Sequence, residues 1–123
     1  MRFFFEFQQK SNRDEYLECV QQETAAEGLV IQKALFGPIV MEDGQVNGIT
    51  ECYDVTVASQ LLVENHQINI KSRTNLSQLE GFFDPTPGES KNILFRYVYA
   101  TQQHLAIFKD KEEIFIPQES HLL

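Results

Sequence analysis

Apolar and polar positions change their period once along the chain, near Gly28. Upstream, residues 8–27 are rich in Gln, Glu and Ala and contain neither Gly nor Pro, a composition that favours helix. Ser11 followed by Asp14 has the spacing of a weak capping box. Tyr16 with Val20, and Leu17 with Thr24, supply only a thin apolar stripe. That stripe is narrower than a core helix carries, so the helix is expected to dock on a partner or on a segment outside the chain. Gly28 is its expected stop.

Downstream the period becomes two. Leu29 to Phe36 reads as a largely buried strand, closed by Gly37-Pro38 and followed by a short extension, Ile39-Val40-Met41. Asp43-Gly44 and Asn47-Gly48 are turn chemistry and predict a flexible connection. Residues 50–63 carry the clearest alternation: Tyr53, Val55, Val57, Leu61 and Val63 on one face, Cys52, Asp54, Thr56, Ala58 and Gln60 on the other. This pattern predicts a long half-buried antiparallel strand, with Glu64-Asn65 as a hairpin turn and His66 to Ile70 as its partner. If that is so, Val57→Asp should unfold the domain and Thr56→Asp should be tolerated.

A polar connection over residues 71–91 holds Leu76, Leu79, Phe82 and Phe83, and ends in rigid turn material from Asp84 to Glu89. Alternation then resumes. Ile93, Phe95, Tyr97 and Tyr99 share a face, Leu105, Ile107 and Phe108 mark the next strand, and Ile114-Phe115-Ile116 the last, ended by Pro117. The expected fold is mainly β (α+β): an N-terminal helix followed by about six mostly antiparallel strands in a small sandwich or twisted sheet. The expected division is a helix or helical linker over residues 1–27 and a β-rich domain over residues 28–123.

Composition narrows the function classes. The 123 residues hold Lys+Arg 10 against Asp+Glu 18, a formal net charge of -8. Binding to a phosphate backbone or an anionic bilayer draws on clustered Lys and Arg, and only Lys71, Arg73 and Lys91 come close to a cluster. Neither nucleic acid nor a membrane surface is an expected partner. The apolar start, Phe3-Phe4-Phe5-Glu6-Phe7, is too short and too interrupted for a signal peptide, and no stretch approaches the roughly 20 apolar residues of a span. Cys19 and Cys52 lack zinc-type spacing and are expected to be reduced thiols of an intracellular protein.

The search for chemistry returns little. His66, His104 and His121 sit in separate segments without ligand spacing, so no metal or other cofactor is expected. Glu51, Asp54 and Asp84 are candidate acid–base carboxylates, but alternating strands place acids on a solvated face as a matter of course, and Asp84 before Pro85 has a turn role. No enzymatic activity is expected. Thr86-Pro87 has the form of a proline-directed phosphorylation site, but such dipeptides are common and plain turn residues are the expected reading. Phe82, Phe83, Asp84 and Pro85 are the candidate interaction residues: an aromatic pair in such a loop either anchors a partner or plugs the end of its own sandwich. A second possibility is a ligand-binding β module with a pocket between Tyr53, Val55, Phe95, Tyr97 and Tyr99.

Four segments in order resemble one known family. They are Gly28-Leu29-Val30-Ile31 with Ala34-Leu35-Phe36-Gly37; Asp54-Val55-Thr56-Val57 with Gln60, Leu62 and Val63; Gly81-Phe82-Phe83-Asp84-Pro85 with Gly88, Glu89 and Lys91; and Ile116-Pro117 with Ser120-His121. Together they are similar to the C-terminal domain, of unknown function, of the DnaJ homolog subfamily C member 11 family. Leu35 stands where the family usually has Trp. The His-Pro-Asp motif by which a J domain stimulates Hsp70 does not occur in this sequence. The resemblance implies a terminal module of a larger mitochondrial J-protein, associated with complexes that bridge the two membranes and shape cristae. It implies a protein partner, with residues 1–27 as the end of a helix leading into the module.

Overall fold

The computed structural model describes residues 2–43 and 45–123; the side chains of residues 2–12 and of Met41 lie outside that description. Helix α1 (Arg2–Ala25) starts earlier than the composition implied, so Ser11 is an interior helical residue and not a cap. Tyr16, Cys19, Val20 and Glu23 recur at three- and four-residue steps and are the half-buried or buried positions of the helix. Leu17 and Thr24 point away, Leu17 being 52% exposed. The stripe is therefore as thin as expected, and only half of the expected residues belong to it.

Glu23 fastens the end of α1. One carboxylate oxygen accepts the Leu29 N–H at 3.0 Å, and the other lies 2.8 Å from His66 Nδ1. Gly28 sits against this pair. A Cβ there would come within 2.6 Å of His66 Nδ1 and 2.7 Å of Glu23 Oε1, so a side chain at this position would displace the Glu23–His66 contact.

The strands are β1 (Val30–Gly37), β2 (Val40–Glu42), β3 (Gln45–Asn47), β4 (Tyr53–Asp54), β5 (Ile68–Ile70), β6 (Asn92–Tyr99), β7 (Gln102–Lys109) and β8 (Ile114–Ile116). Four of them make an antiparallel sheet in the order β4-β1-β6-β7. β5 pairs antiparallel with β8, setting Ile68 opposite Ile116 and Ile70 opposite Ile114. The connection expected after Met41 is partly ordered as a β2–β3 hairpin whose Gly44 is outside the described residues.

One core lies between the two main sheets. Ile31, Ala34 and Phe36 of β1, Ile93, Phe95 and Tyr97 of β6, and Ala106 and Phe108 of β7 meet Ile68, Ile70, Ile114 and Ile116 of the β5–β8 pair. Leu76 and Phe82 close it from the 71–91 connection. The alternation of β6 thus reads as expected. In β7 the inward set is His104, Ala106 and Phe108, while Leu105 and Ile107 are half-buried on the other face.

The long strand expected over 50–63 does not form. Its place is taken by a 3-10 turn (Ile49–Glu51), the two-residue β4 and the short helix α2 (Thr56–Gln60). The buried members, Val55, Ser59 and Gln60, with Ala58 and Leu62 packed beside them, follow a helical spacing; Val57 points outward at 44% exposure. Glu64-Asn65 does form a tight turn, bridging Glu64 to Gln67, but β5 beyond it pairs with β8 and not with the 50–63 segment.

The physical cause is side-chain competition for the backbone. Asp54 Oδ1 accepts the Thr56 N–H at 2.9 Å and its hydroxyl at 2.6 Å, turning the chain out of β4 and into α2. The edge of β1 is then finished by polar side chains. Val55 N–H donates to Ala34 O, Thr56 Oγ1 accepts from Ala34 N–H, and beyond a bulge between Ile31 and Lys33 the fully buried Gln60 takes over. Gln60 accepts from Ile31 N–H at 2.7 Å and donates to Leu29 O at 3.1 Å.

Candidate interaction surface

An open groove of about 1020 Å3 runs between α1, α2 and the β4 end of the sheet, its walls including Glu15, Tyr16, Tyr53, Val57 and Glu80. The same Asp54 turn that opens α2 aims Tyr53 and Val57 into it. Asp54 also meets Lys33 Nζ at 2.6 Å. Burial alone would raise the Asp54 carboxyl, but the hydrogen bonds from Lys33 and Thr56 outweigh it and hold the group below the usual carboxylate range.

The predicted residues Phe82 and Phe83 separate. Gly81, at φ +83, lies where a Cβ would come within 2.7 Å of Ala58 Cβ, so the loop passes tightly over α2. Phe82 then plugs the core, edge-on to Phe36 at 5.8 Å between ring centroids. Phe83 turns outward, 59% exposed, and stacks edge-on against Tyr53 at 5.1 Å. Phe82 thus takes the plugging role, and Phe83 is left at the surface. Tyr53 and Phe83 form an exposed aromatic pair beside the groove.

Asp84 and Pro85 follow that pair into a tight turn. Asp84 Oδ1 accepts the Thr86 N–H at 3.1 Å and pairs with Lys91 Nζ at 3.1 Å. The Lys91 side chain is 8% exposed and also donates to the carbonyls of Thr86 and Glu89, so the whole 84–91 turn is wrapped around one ammonium. Pro85 is half-buried. The Thr86 hydroxyl is closed off from solvent and has no hydrogen-bond partner, which removes it from the reach of a kinase while the turn is intact.

The remaining candidates do not converge. Asp54 is tied to Lys33, Asp84 to Lys91, and Glu51 sits in the exposed 3-10 turn. His66 faces Glu23, whereas His104 of β7 and His121 of a 3-10 turn (Glu119–His121) both pack against Tyr97. Tyr97 stacks on His104 at 4.8 Å, and its hydroxyl lies 2.7 Å from His121 Nδ1 while accepting the Gln118 N–H at 3.2 Å. Burial, and behind it the neighbouring His104, lowers the His121 imidazole below its ordinary value. Among the described residues no group of three His, Cys, Asp or Glu is placed to hold a metal ion, and no helix is long and apolar enough to cross a membrane. Cys19 and Cys52 are free thiols. The pocket expected between Tyr53, Val55, Phe95, Tyr97 and Tyr99 is filled: Val55, Phe95 and Tyr97 are core, and Tyr53 belongs to the outer groove.

The sequence reading missed Tyr53 and Val57 as surface residues, and Lys91 as the centre of the turn. The Asp54-x-Thr56 spacing, a side-chain turn signal, was the available clue to the first.

The family described as DnaJ-like protein C11, C-terminal, matches residues 5–117. The chain belongs to this family. It is 31% identical over 102 residues to DnaJ homolog subfamily C member 11 of Mus musculus, covering 83% of this chain and 18% of the relative. The Bos taurus protein of the same name gives the same figures, 31%, 83% and 18%. The DnaJ homolog subfamily C member 11 homolog of Dictyostelium discoideum is 29% identical over 108 residues, covering 85% of this chain and 19% of the relative. The chain thus spans less than a fifth of the length of these curated relatives. No solved structure matches it.

The four segments that carry the family resemblance acquire physical roles in this fold. Gly28 seats the Glu23–His66 contact, Asp54, Thr56 and Gln60 finish the β1 edge, Asp84 and Lys91 build the turn behind Phe83, and His121 meets Tyr97. Leu35, at the position of the usual Trp, is half-buried on the outer sheet face opposite Leu94 and Asp54.

Proposed function

We propose that this domain is a non-catalytic protein-interaction module of a mitochondrial J-protein, acting in membrane and cristae organisation or in complex assembly. Its family membership supports a place within a larger J-protein, and the candidate acid–base groups Glu51, Asp54 and Asp84 lie apart, Asp54 and Asp84 each tied to its own lysine. The observation that carries the reading is the exposed Tyr53–Phe83 pair, held by a turn built around the buried Lys91 side chain. Aromatic anchors on a rigid base are what interfaces concentrate their binding energy in. Phe83 is the contacting residue, and Phe82, Asp84 and Pro85 position it. In this reading residues 1–27 serve as the helical connector and residues 28–123 as the interacting body, which suits the thin docked stripe of α1.

Affinity capture from mitochondria tests the proposal. The wild-type domain is expected to recover components of a membrane-organising complex, and Phe83→Ala to lose them with the fold intact by circular dichroism. Capture that recovers no such component would refute the assignment.

A further inference from the structure

Resting on the interaction reading above, we propose that the groove between α1 and α2 takes an amphipathic helical segment of a partner, apolar on one face and flanked by Lys or Arg.

The chemistry of the lining sets the charge. Among the described residues Glu15 and Glu80, which line the groove, meet no cation, and Asp54 there is already matched by Lys33. The groove therefore offers an uncompensated acidic rim on a chain of net charge -8, and an incoming cation gains from both. Tyr53 and Val57, exposed by 41% and 44%, give the groove apolar walls, and Phe83, 59% exposed, extends them from beside it through its contact with Tyr53. An apolar core within a polar rim is the usual anatomy of an interface.

The backbone beside the groove sets the conformation. An extended peptide binds by adding to a free strand edge. Here the β1 edge is already engaged: Ala34 O by Val55 N–H, Ala34 N–H by Thr56 Oγ1, and Ile31 N–H by Gln60 Oε1. A strand would have to bury its own donors against these satisfied groups. A helix satisfies its backbone internally and needs only side-chain contacts, which is what the walls from α1 and α2 present.

Photo-crosslinking in the full 123-residue chain tests this, with a photoreactive phenylalanine analogue at Val57 and, as control, at Phe115, which is exposed on β8. After irradiation in mitochondrial extract, mass spectrometry is expected to place the Val57 crosslinks in one segment with apolar residues at three- and four-residue spacing and Lys or Arg at its flanks. A synthetic peptide of that segment should bind in fluorescence anisotropy. Its affinity should fall about thirtyfold with Phe83→Ala, the loss of the aromatic anchor at the groove's edge, and about threefold to tenfold with Glu80→Lys or with higher salt. Crosslinks to an acidic, uncharged or β-patterned segment, equal crosslinking from Phe115, or none from Val57 would overturn the proposal. Recovery of a membrane-organising component through another face, with Val57 silent, would overturn the groove and leave the broader function standing.

Discussion

The two edges of the four-stranded sheet are closed by opposite means. At the β4–β1 edge, the amide of Gln60 and the hydroxyl of Thr56 stand in for a neighbouring strand. At the β7 edge, backbone does the work: Leu123 N–H donates to Gln103 O at 3.0 Å and Leu122 bridges His104. That segment is held down by His121 against Tyr97. The first edge relies on groups that do not titrate, the buried Gln60 and the half-buried Thr56. The second relies on a terminal segment pinned by an imidazole. Free sheet edges invite unwanted pairing, so both solutions serve the same end. They differ in what disturbs them.

Breaking the first edge has the larger effect. Gln60→Leu removes the partners of Ile31 N–H and Leu29 O together, and each buried group left unpaired costs about 1–3 kcal/mol. A loss of about 3 kcal/mol in urea unfolding is expected; a loss below about 0.5 kcal/mol, the size of an ordinary surface change, would show that the amide does not close this edge.

Next comes a pair of variants whose order reverses the alternation reading. Thr56→Val strands the Ala34 N–H and should cost about 1.5 kcal/mol, whereas Val57→Asp, at an outward position, should stay within about 0.5 kcal/mol. Thermal melts of the two decide it, and a lower melting temperature for Val57→Asp would restore the strand.

At the β7 edge, Tyr97→Phe deletes the oxygen that Gln118 N–H and His121 share. About 1 kcal/mol is expected, with faster amide exchange confined to residues 117–123. Exchange that rises equally across β1 would make the two edges one cooperative unit.

The smallest effect is that of pH. His121 has a folded value below its ordinary one, so the unfolded chain binds its proton first. Its stabilising contribution is present above about pH 6.5 and is lost as pH falls through the folded value. Asp54 is also lowered, so its contribution is present above the ordinary carboxylate value of about 3.9 and is lost only as pH falls below it, through the folded value. Between neutrality and pH 5 the Leu123 amide should therefore lose protection while Ile31 does not. Substituting His121→Asn should flatten that difference.

Much of this division follows from local pattern. Period two over Leu29–Phe36 and Asn92–Ala100 predicts β1 and β6 because a strand buried on one face needs alternate apolar residues whatever its partner. The same rule fails over 50–63, since Val55, Val57, Leu61 and Val63 alternate equally well while Asp54 and Gln60 have backbone to capture. Which of the two wins depends on whether a β1 edge lies beside them. Similarly, Phe82 and Phe83 are one dipeptide in sequence, and only Phe36 on one side and Tyr53 on the other make one a core plug and the other an exposed surface ring.

By itself, then, the sequence determined the helix-then-β order, the acidity that argues against phosphate backbones, and the family, because these rest on composition, short-range period and ordered motifs. The tertiary structure decided which polar side chains replace a strand, which aromatic faces outward, and where the groove lies. Those outcomes depend on groups distant in the chain, such as Gln60 with Ile31 and Tyr53 with Phe83, meeting in space, where an unpaired buried donor costs more than the helix propensity of an ordinary residue contributes.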